Sequence, residues 1–364
     1  MSQMYKIGII GCGGIANGKH LPSLSKLGSV ELVAFCDVVP ERAEEAAARY
    51  GAEGAKVYTD YTELLQDGTI DIIHVLTPNE SHARISIAAL DSGKHVMCEK
   101  PMAKTAAEAR QMVQAAERSG KKLTIGYNNR FRPDSQHLKK VCEAGTLGHI
   151  YYAKAHAIRR RAVPTWGVFL DEEKQGGGPL IDIGTHALDL TLWMMDNYKP
   201  KVVLGTKYHE LSQRENAANA WGPWDPEKFK VEDSAFGMVV MENGATVVLE
   251  SSWALNSLDV DESKCSLSGS EGGADMKNGL RINGEEFGRL YTKEVDLSSG
   301  GVAFYEGKAE SDSDLEMFRW IEAIEQDLTP TVTPEQACVV SEILEAIYES
   351  ARTGRAVYLD GSEN

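Results

Sequence analysis

The chain lacks the features that mark several protein classes. Its six cysteines, Cys12, Cys36, Cys98, Cys142, Cys265 and Cys338, lie far apart, without CxxC pairs or His-spaced clusters. That spacing argues against a disulfide framework and a structural zinc site, and reads the cysteines as reduced, mostly buried thiols. Positive charge is scarce: 38 Lys and Arg face 54 Asp and Glu, for a formal net charge of -16. Such a surface repels phosphate backbones, and the run Arg159-Arg160-Arg161 is too short to reverse it, so nucleic acid and anionic membranes are poor partners. Long apolar runs are missing as well. The stretch Ile70 to Leu76 is strand-length, far below the roughly 20 apolar residues of a membrane span. The opening Met-Ser-Gln-Met-Tyr-Lys lacks the basic and apolar pattern of a signal peptide, and the expectation is a soluble, cytoplasmic protein. No internal repeat stands out, and no His/Asp/Glu cluster has metal-ligand spacing, so no metal is expected.

What is present is the composition of a globular enzyme. With 364 residues, 42% hydrophobic and 25% charged, the chain can bury a large core, and its length favours two domains. From Tyr5 to Tyr127, short apolar runs alternate with helical patterns, which calls for crossover helices and a parallel sheet. The expected strands are Lys6–Ile10, Val30–Asp37, Ile70–Leu76, His95–Cys98 and Lys122–Tyr127, each apolar enough to be covered on both faces. One helix spans Pro40 to Tyr50, and another starts at Thr105, where Thr105 and Glu108 have capping-box spacing. The reading is an α/β Rossmann domain with a doubly wound parallel sheet over 1–127. An α+β domain with a large open, mainly antiparallel sheet follows over 128–364. In that second part a helix opens at Pro179, and strands span Ser234–Met241 and Ala245–Trp253. Asn243-Gly244 and Asn283-Gly284 have the composition of type I′ hairpin turns. Leu211 to Glu232 reads as a long loop. Asp312–Asp327 and Pro334–Thr353 read as closing helices, the second with Thr333 as N-cap and Pro334 at its first position.

The chemistry begins directly after the first strand. Gly11-Cys12-Gly13-Gly14-Ile15-Ala16 stands between a strand and a helix, the context a dinucleotide fingerprint needs. Gly11 permits the tight turn, Gly13 lets the backbone approach a pyrophosphate, and Ala16 allows close helix–strand packing. Asp37 ends the second strand, where a carboxylate accepts hydrogen bonds from a ribose hydroxyl and repels a 2′-phosphate, favouring NAD over NADP. A plain glycine turn and a helix-capping Asp37 are the alternatives. Asp182 and His186 are four apart on an expected helix and share one face. Their position after three glycines and before Leu188, Leu190, Leu192 and Trp193 points that helix into the protein.

At Glu99-Lys100-Pro101 the chain resembles the Gfo/Idh/MocA oxidoreductases, the glucose-fructose oxidoreductase and inositol dehydrogenase family. The resemblance also runs through the glycine motif, Thr77-Pro78-Asn79 with His82, Gly126-Tyr127-Asn128 with Arg130-Phe131, and Gly176-Gly177-Gly178-Pro179-Leu180-Ile181-Asp182-Ile183-Gly184-Thr185-His186. It implies a Rossmann domain followed by an open-sheet domain that shapes the substrate pocket and often mediates oligomer contacts. It also implies roles for Lys100 against nicotinamide and substrate, and for Asp182 and His186 in completing the site. Cofactor contacts are expected from Gly11, Gly13, Gly14, Ile15, Asp37, Thr77, Pro78, Asn79, His82, Glu99, Lys100 and Asn128. Substrate contacts are expected from Lys100, Arg130, Trp166, Asp182 and His186. For Asn128 and Arg130 a structural hydrogen bond is the alternative, and for Pro78-Asn79 an ordinary turn and helix start.

Removing a hydride from a CH–OH carbon leaves a carbonyl only if the hydroxyl proton also departs, and His186 suits that task. Lys100 could hydrogen-bond the reacting oxygen or share the base role. Trp166 suits the apolar face of a sugar, or else a plain core position; His156, in an alternating strand, reads as packed or exposed. The leading function is an NAD-dependent dehydrogenase acting on a secondary hydroxyl of a cyclitol, sugar or glycoside. Tightly retained NAD with release of aglycone would favour a glycoside-cleaving enzyme of the same fold instead. A non-catalytic NAD-binding regulator would have lost Lys100, Asp182 and His186. A homo-oligomer, dimer or tetramer, is expected because an open sheet otherwise exposes one large face.

Overall fold

The computed structural model describes residues 4–297 and 311–359. They divide into two compact units, Met1–Phe131 with Lys308–Cys338, and Arg132–Gly307 with Val339–Asn364.

In the first unit six strands are parallel: β1 (Tyr5–Ile10), β2 (Val30–Cys36), β3 (Lys56–Tyr58), β4 (Ile72–Val75), β5 (His95–Cys98) and β6 (Leu123–Ile125). Their order is β3-β2-β1-β4-β5-β6. Strand order reverses between β1 and β4, and a crevice opens beyond the C-terminal ends of strands at such a switch point. Ile7, Ile9, Ile72 and Ile73 are fully buried, as a sheet covered on both faces requires. The helix Pro40–Tyr50 starts with proline at its first position, and Ala106–Ser119 carries the Thr105/Glu108 capping box. The helix Asp312–Glu325, though late in sequence, belongs here. Its Met317, Trp320, Ile321 and Ile324 pack in one cluster with Ile7, Leu21, Leu24 and Phe35, each buried side chain contributing about 1.5–3 kcal/mol. The segment returns to the first unit because its apolar stripe finds its cover there.

The second unit holds one mixed sheet. Its strands are β7 (Ile150–Ile158), β8 (Pro200–Tyr208), β9 (Ser234–Met241), β10 (Thr246–Ser252), β11 (Asp261–Gly269), β12 (Gly272–Asp275), β13 (Arg281–Glu286), β14 (Arg289–Glu294) and β15 (Val357–Tyr358). They lie in the order β14-β13-β12-β11-β7-β10-β9-β8-β15, with only β7 and β10 parallel. One face, with Ala153, Ala155, Val239, Val247, Leu249 and Leu267, is buried. The helix Thr185–Met195 packs on β7 and β11 and buries nearly its whole circumference, as a central helix does. The other face carries Leu204, Met238 and Tyr208 at 45%, 43% and 42% exposure.

Two turns depart from expectation. Asn243-Gly244 does join β9 to β10, but only Gly244 is left-handed, at φ 86°. Gly244 N donates to Met241 O and Met241 N to Ala245 O; this is a three-residue loop with a left-handed final glycine, not a two-residue type I′ turn. Asn283-Gly284 lies inside β13, where the missing Cβ makes room for the Tyr291 ring on β14. The two-residue turn with both φ positive is Phe287-Gly288, at 51° and 71°. The long stretch from Leu211 to Glu232 holds no strand or helix, as read.

Candidate active site

β1 runs into the glycine turn. Gly11 has φ 95°, and a Cβ there would stand 2.6 Å from Leu76 O, so only glycine closes the turn. A Cβ on Gly13 or Gly14 would meet nothing within 4 Å. The turn therefore faces open space, where a pyrophosphate fits against helix N-terminal amides. Ile15, 44% exposed, flanks that space. Asn17 locks the turn, its Nδ2 donating to Cys12 O at 2.9 Å and to Gly13 O at 3.0 Å. Asp37 follows β2. Its Oδ2 accepts Cys12 N at 2.8 Å and its Oδ1 accepts Val39 N at 2.9 Å, so it steadies both the turn and the start of the next helix. Each carboxylate oxygen keeps a further acceptor site for a ribose hydroxyl. The turn and Asp37 thus fit a dinucleotide.

Lys100 follows β5 on a loop braced from beneath. Glu99 Oε1 accepts Lys19 Nζ at 2.7 Å and faces His20 Nε2 at 2.8 Å, while Oε2 accepts Lys100 N at 3.2 Å. Gly126 makes room for this carboxylate, which a Cβ there would approach to 3.0 Å. Glu316 Oε2 lies 2.9 Å from Lys19 Nζ, and His20 Nδ1 lies 3.1 Å from His74 Nδ1. Burial pushes His20 and His74 below the usual imidazole range. Burial would raise Glu99, but Lys19 and His20 outweigh it and hold that carboxyl well down. Burial would likewise lower Lys19, but Glu316 and Glu99 hold it up. Glu316 goes the other way, raised by burial to about 7 despite Lys19. The two partners' directions differ because two carboxylates share one ammonium. Glu99 also has His20 and the Lys100 amide, so the neutral form falls to Glu316.

Three of the expected contact residues are tied into the protein itself. Glu99 is turned inward and braces Lys100. His82, 1% exposed, has Nε2 2.8 Å from Thr77 O and Nδ1 2.7 Å from Pro101 O. It ties the Thr77 loop to the loop of Lys100, and burial lowers its pKa. Arg130 is fully buried, with Nη1 donating to Thr331 O at 2.8 Å and Gln336 Oε1 at 2.7 Å; it anchors segment 331–336, the structural alternative named for it above. Thr77 is half-buried, with Ser81 Oγ at 2.7 Å from its hydroxyl, Pro78 is exposed, Asn79 is buried, and Asn128 is half-buried in the turn Asn128–Phe131.

In the second unit, the Gly-rich segment leads into Leu180–Gly184, a turn widened to the π pitch, and then into the helix Thr185–Met195. Thr185 N bonds Leu180 O, the i→i+5 pattern. Over this wider turn, four residues fall just short of one revolution instead of just past it, so Asp182 and His186 still share one side. Asp182 is 5% exposed and its Oδ2 accepts Trp253 Nε1 at 3.1 Å; His186 is half-buried. Glu232, 2% exposed, accepts Gly178 N at 2.9 Å, Leu180 N at 3.2 Å and the Tyr348 hydroxyl at 2.8 Å. Burial raises Glu232, against the pull of Gly178 N. Ser251 Oγ donates to Pro179 O at 2.7 Å. A Cβ on Gly177 would collide with Tyr348, and one on Gly178 with Glu232 O, so the glycines exist for close approach.

Trp166 is 52% exposed and stands against Trp221, which rules out the core position. His156 is half-buried, with Nε2 3.1 Å from Ser266 Oγ and Nδ1 3.4 Å from Glu250 Oε2. Sequence reasoning passed over Lys19, His20, His74 and Glu316 in the first unit, and Glu232, Ser251, Trp253 and Tyr348 in the second. All are partnered across long sequence separations, and no local pattern marks them.

Comparison with known proteins places the chain in a family. Residues 5–127 match the NAD-binding Rossmann fold of the Gfo/Idh/MocA oxidoreductase family, and residues 139–359 match its C-terminal alpha/beta domain. The chain is 33% identical over 362 residues to D-glucoside 3-dehydrogenase of Escherichia coli K12, covering 98% of each. It is 32% identical over 197 residues to inositol 2-dehydrogenase of Salmonella paratyphi B, covering 53% of this chain and 56% of that one. Among solved structures, the aldose-aldose oxidoreductase of Caulobacter crescentus complexed with glycerol superposes with a TM-score of 0.78 at 25% identity, over 98% of this chain and 100% of that one. Glycine turn, acid after β2, Glu-Lys-Pro loop and Asp/His helix occur together with both family matches, and the chain therefore belongs to the Gfo/Idh/MocA family of NAD-binding oxidoreductases.

Proposed function

We propose that the protein is a dehydrogenase of a secondary hydroxyl on a sugar, glycoside or cyclitol. The observation that carries this reading is the pair Asp182 and His186 on one side of a buried helix, with Asp182 oriented by Trp253. An aspartate and a histidine so placed handle a hydroxyl proton, and the full-length relative acts on D-glucosides. When bound, NAD supplies the hydride acceptor. Gly11, Gly13 and Gly14 shape the phosphate turn, with Ile15 beside it, and Asp37 receives the ribose. Thr77, Pro78, Asn79 and Asn128 border the nicotinamide end. His186 takes the hydroxyl proton on a ring nitrogen. Asp182 orients a substrate hydroxyl and stabilises the imidazolium. Lys100, held by the Glu99 brace, donates a hydrogen bond to the reacting oxygen.

The test is NADH formation across cyclitols, aldoses and glucosides; no turnover on any member of these classes overturns the reading. The exposed sheet face supports a homo-oligomer, dimer or tetramer, with Leu204, Met238 and Tyr208 covered by a second copy. Six free thiols support a reducing compartment such as the cytoplasm. Among the described residues, no helix is long and apolar enough to cross a membrane.

A further inference from the structure

Four of the six tryptophans are buried: Trp193 at 9% exposure, Trp224 at 4%, Trp253 at 0% and Trp320 at 3%. The other two, Trp166 at 52% and Trp221 at 46%, stand against each other with ring centroids 4.9 Å apart and planes at 85°. They come from separate loops, and each is followed by a glycine in the left-handed region, Gly167 at φ 62° and Gly222 at φ 85°, so the chain turns away directly behind each ring.

The pair is held rigidly. Asn219 Oδ1 accepts Val163 N at 2.8 Å, and its Nδ2 donates to Val163 O at 3.0 Å and Gly222 O at 2.8 Å. Ala220 N donates to Arg161 O at 3.1 Å, and Thr165 Oγ1 donates to Trp221 O at 3.2 Å. Arg159 lies over the Trp221 ring at 5.6 Å while its guanidinium grips Glu262 with two bonds of 2.6 Å. Two half-exposed indoles pinned in place forgo burial that a folding core would use, which is the signature of a recognition surface.

The rings also lead inward. Trp166 contacts Phe169 at 5.9 Å, Phe169 contacts Trp253 at 6.4 Å, and Trp253 Nε1 binds Asp182. Two ring contacts thus separate the exposed pair from the indole that orients Asp182. An edge-to-face pair leaves one indole face open, and its negative π cloud complements the C–H face of a pyranose or the edge of an aryl ring.

We propose that Trp166 and Trp221 form a second subsite, which holds the ring on the far side of a glycosidic bond while the oxidised ring lies at Asp182 and His186. The substrate is then a glycoside with a ring-bearing aglycone, a disaccharide or an aryl glycoside, rather than a free monosaccharide or cyclitol. This rests on the dehydrogenase reading above.

The experiment compares kcat/KM for methyl glucoside, phenyl glucoside and a glucose disaccharide in the wild type, Trp221→Ala and Trp221→Phe. Light scattering and intrinsic fluorescence titrations with phenyl glucoside accompany the kinetics. Expected is a fall of about 3- to 10-fold in the ratio of phenyl glucoside or disaccharide to methyl glucoside, the order of a lost aromatic contact. The loss should lie mostly in KM, and Trp221→Phe should restore part of it. The disaccharide and phenyl arms tell a sugar ring from an aryl one. Equal loss on all substrates, or none, overturns the subsite, as does a variant whose only change is in oligomer size. If no compound yields NADH, the dehydrogenase reading fails by itself; fluorescence quenching by phenyl glucoside that Trp221→Ala abolishes would still uphold the subsite, and its absence would overturn it.

Discussion

The two units hold their functional loops by different means. In the first, Lys100 is placed by charge: Lys19 sits between Glu99 and Glu316, with His20 and His74 behind, all buried or nearly so. In the second, Asp182 and His186 are placed by close packing of glycines on Tyr348, Glu232 and Ser251, and by an indole hydrogen bond. A charge brace responds to pH and fails severely when one member is removed. A packed brace responds to volume and is indifferent to pH over the range where its groups do not titrate. The brace of the first unit thus rests on an ion-paired cluster, and that of the second rests mainly on close packing, with the buried Glu232 as its titratable member.

The sharpest break between them is chemical. His186→Ala should lower NADH formation by about 10²–10⁴-fold while leaving NAD affinity, measured by calorimetry, within a few-fold of wild type. A parallel loss of NAD binding would show that the two units do not divide the work in this way. Lys19→Met should break the charge brace, leaving Glu99 and Glu316 buried without their ammonium, at a cost of about 3–5 kcal/mol in denaturant unfolding. Adding Glu316→Gln removes one of the two stranded carboxylates and should recover part of that loss. An undiminished midpoint in Lys19→Met would mean the network is solvated and the contrast is wrong.

The legible parts of this architecture were those written in neighbouring residues. The glycine turn, the helix Pro40–Tyr50 and the Thr105/Glu108 capping box depend on contacts a few residues long, and all appear where the pattern places them. The edge strand β3 went unread because three half-polar residues, Lys56–Tyr58, carry no alternation to detect. Asn283-Gly284 misled because composition alone does not tell a turn glycine from one that yields space to an opposing tyrosine. The deeper limit is sequence distance. Lys19 meets Glu316, Asp182 meets Trp253 and Gly178 meets Glu232, and each partner is an ordinary residue until folding brings it close. Catalytic side chains announce themselves by motif; the residues that aim them do not. Glu99, His82 and Arg130 each stand in a motif, yet the bonds they make to Lys19, Pro101 and Thr331 carry no mark in the neighbouring residues.

The titration of Glu316 sharpens the contrast at an intermediate scale. Its folded pKa is raised from 4.5 to about 7, by burial first, with Glu99 and Asp312 adding to it and Lys19 opposing. The folded state therefore holds a proton that the unfolded chain has released, and stability rises as pH falls through this range. The contribution is fully present below about 4.5 and is lost as pH rises through about 7, amounting to roughly 3 kcal/mol at most by the 1.36 kcal/mol-per-unit relation. Tm measured from pH 5 to 8 should decline with pH more steeply in wild type than in Glu316→Gln, which keeps a neutral side chain throughout. Identical slopes would place the proton elsewhere in the network.

The smallest effect tests whether charge in the first unit also selects the cofactor. Asp37 stands after β2 with one oxygen on Cys12 N and the other on Val39 N, so its position is fixed before any nucleotide arrives. A 2′-phosphate brought within about 4 Å of it in a water-rich crevice meets a repulsion on the order of 1 kcal/mol per unit charge. Asp37→Ser removes that repulsion but keeps one short acceptor for the Cys12 amide, so the turn should survive. The ratio of kcat/KM with NAD to that with NADP should narrow by about tenfold. Because serine no longer offers two acceptor oxygens to the ribose, part of the change should be weaker NAD binding rather than stronger NADP binding. If the wild type already uses both cofactors equally well, Asp37 serves the turn alone, and selection by charge is absent from the first unit.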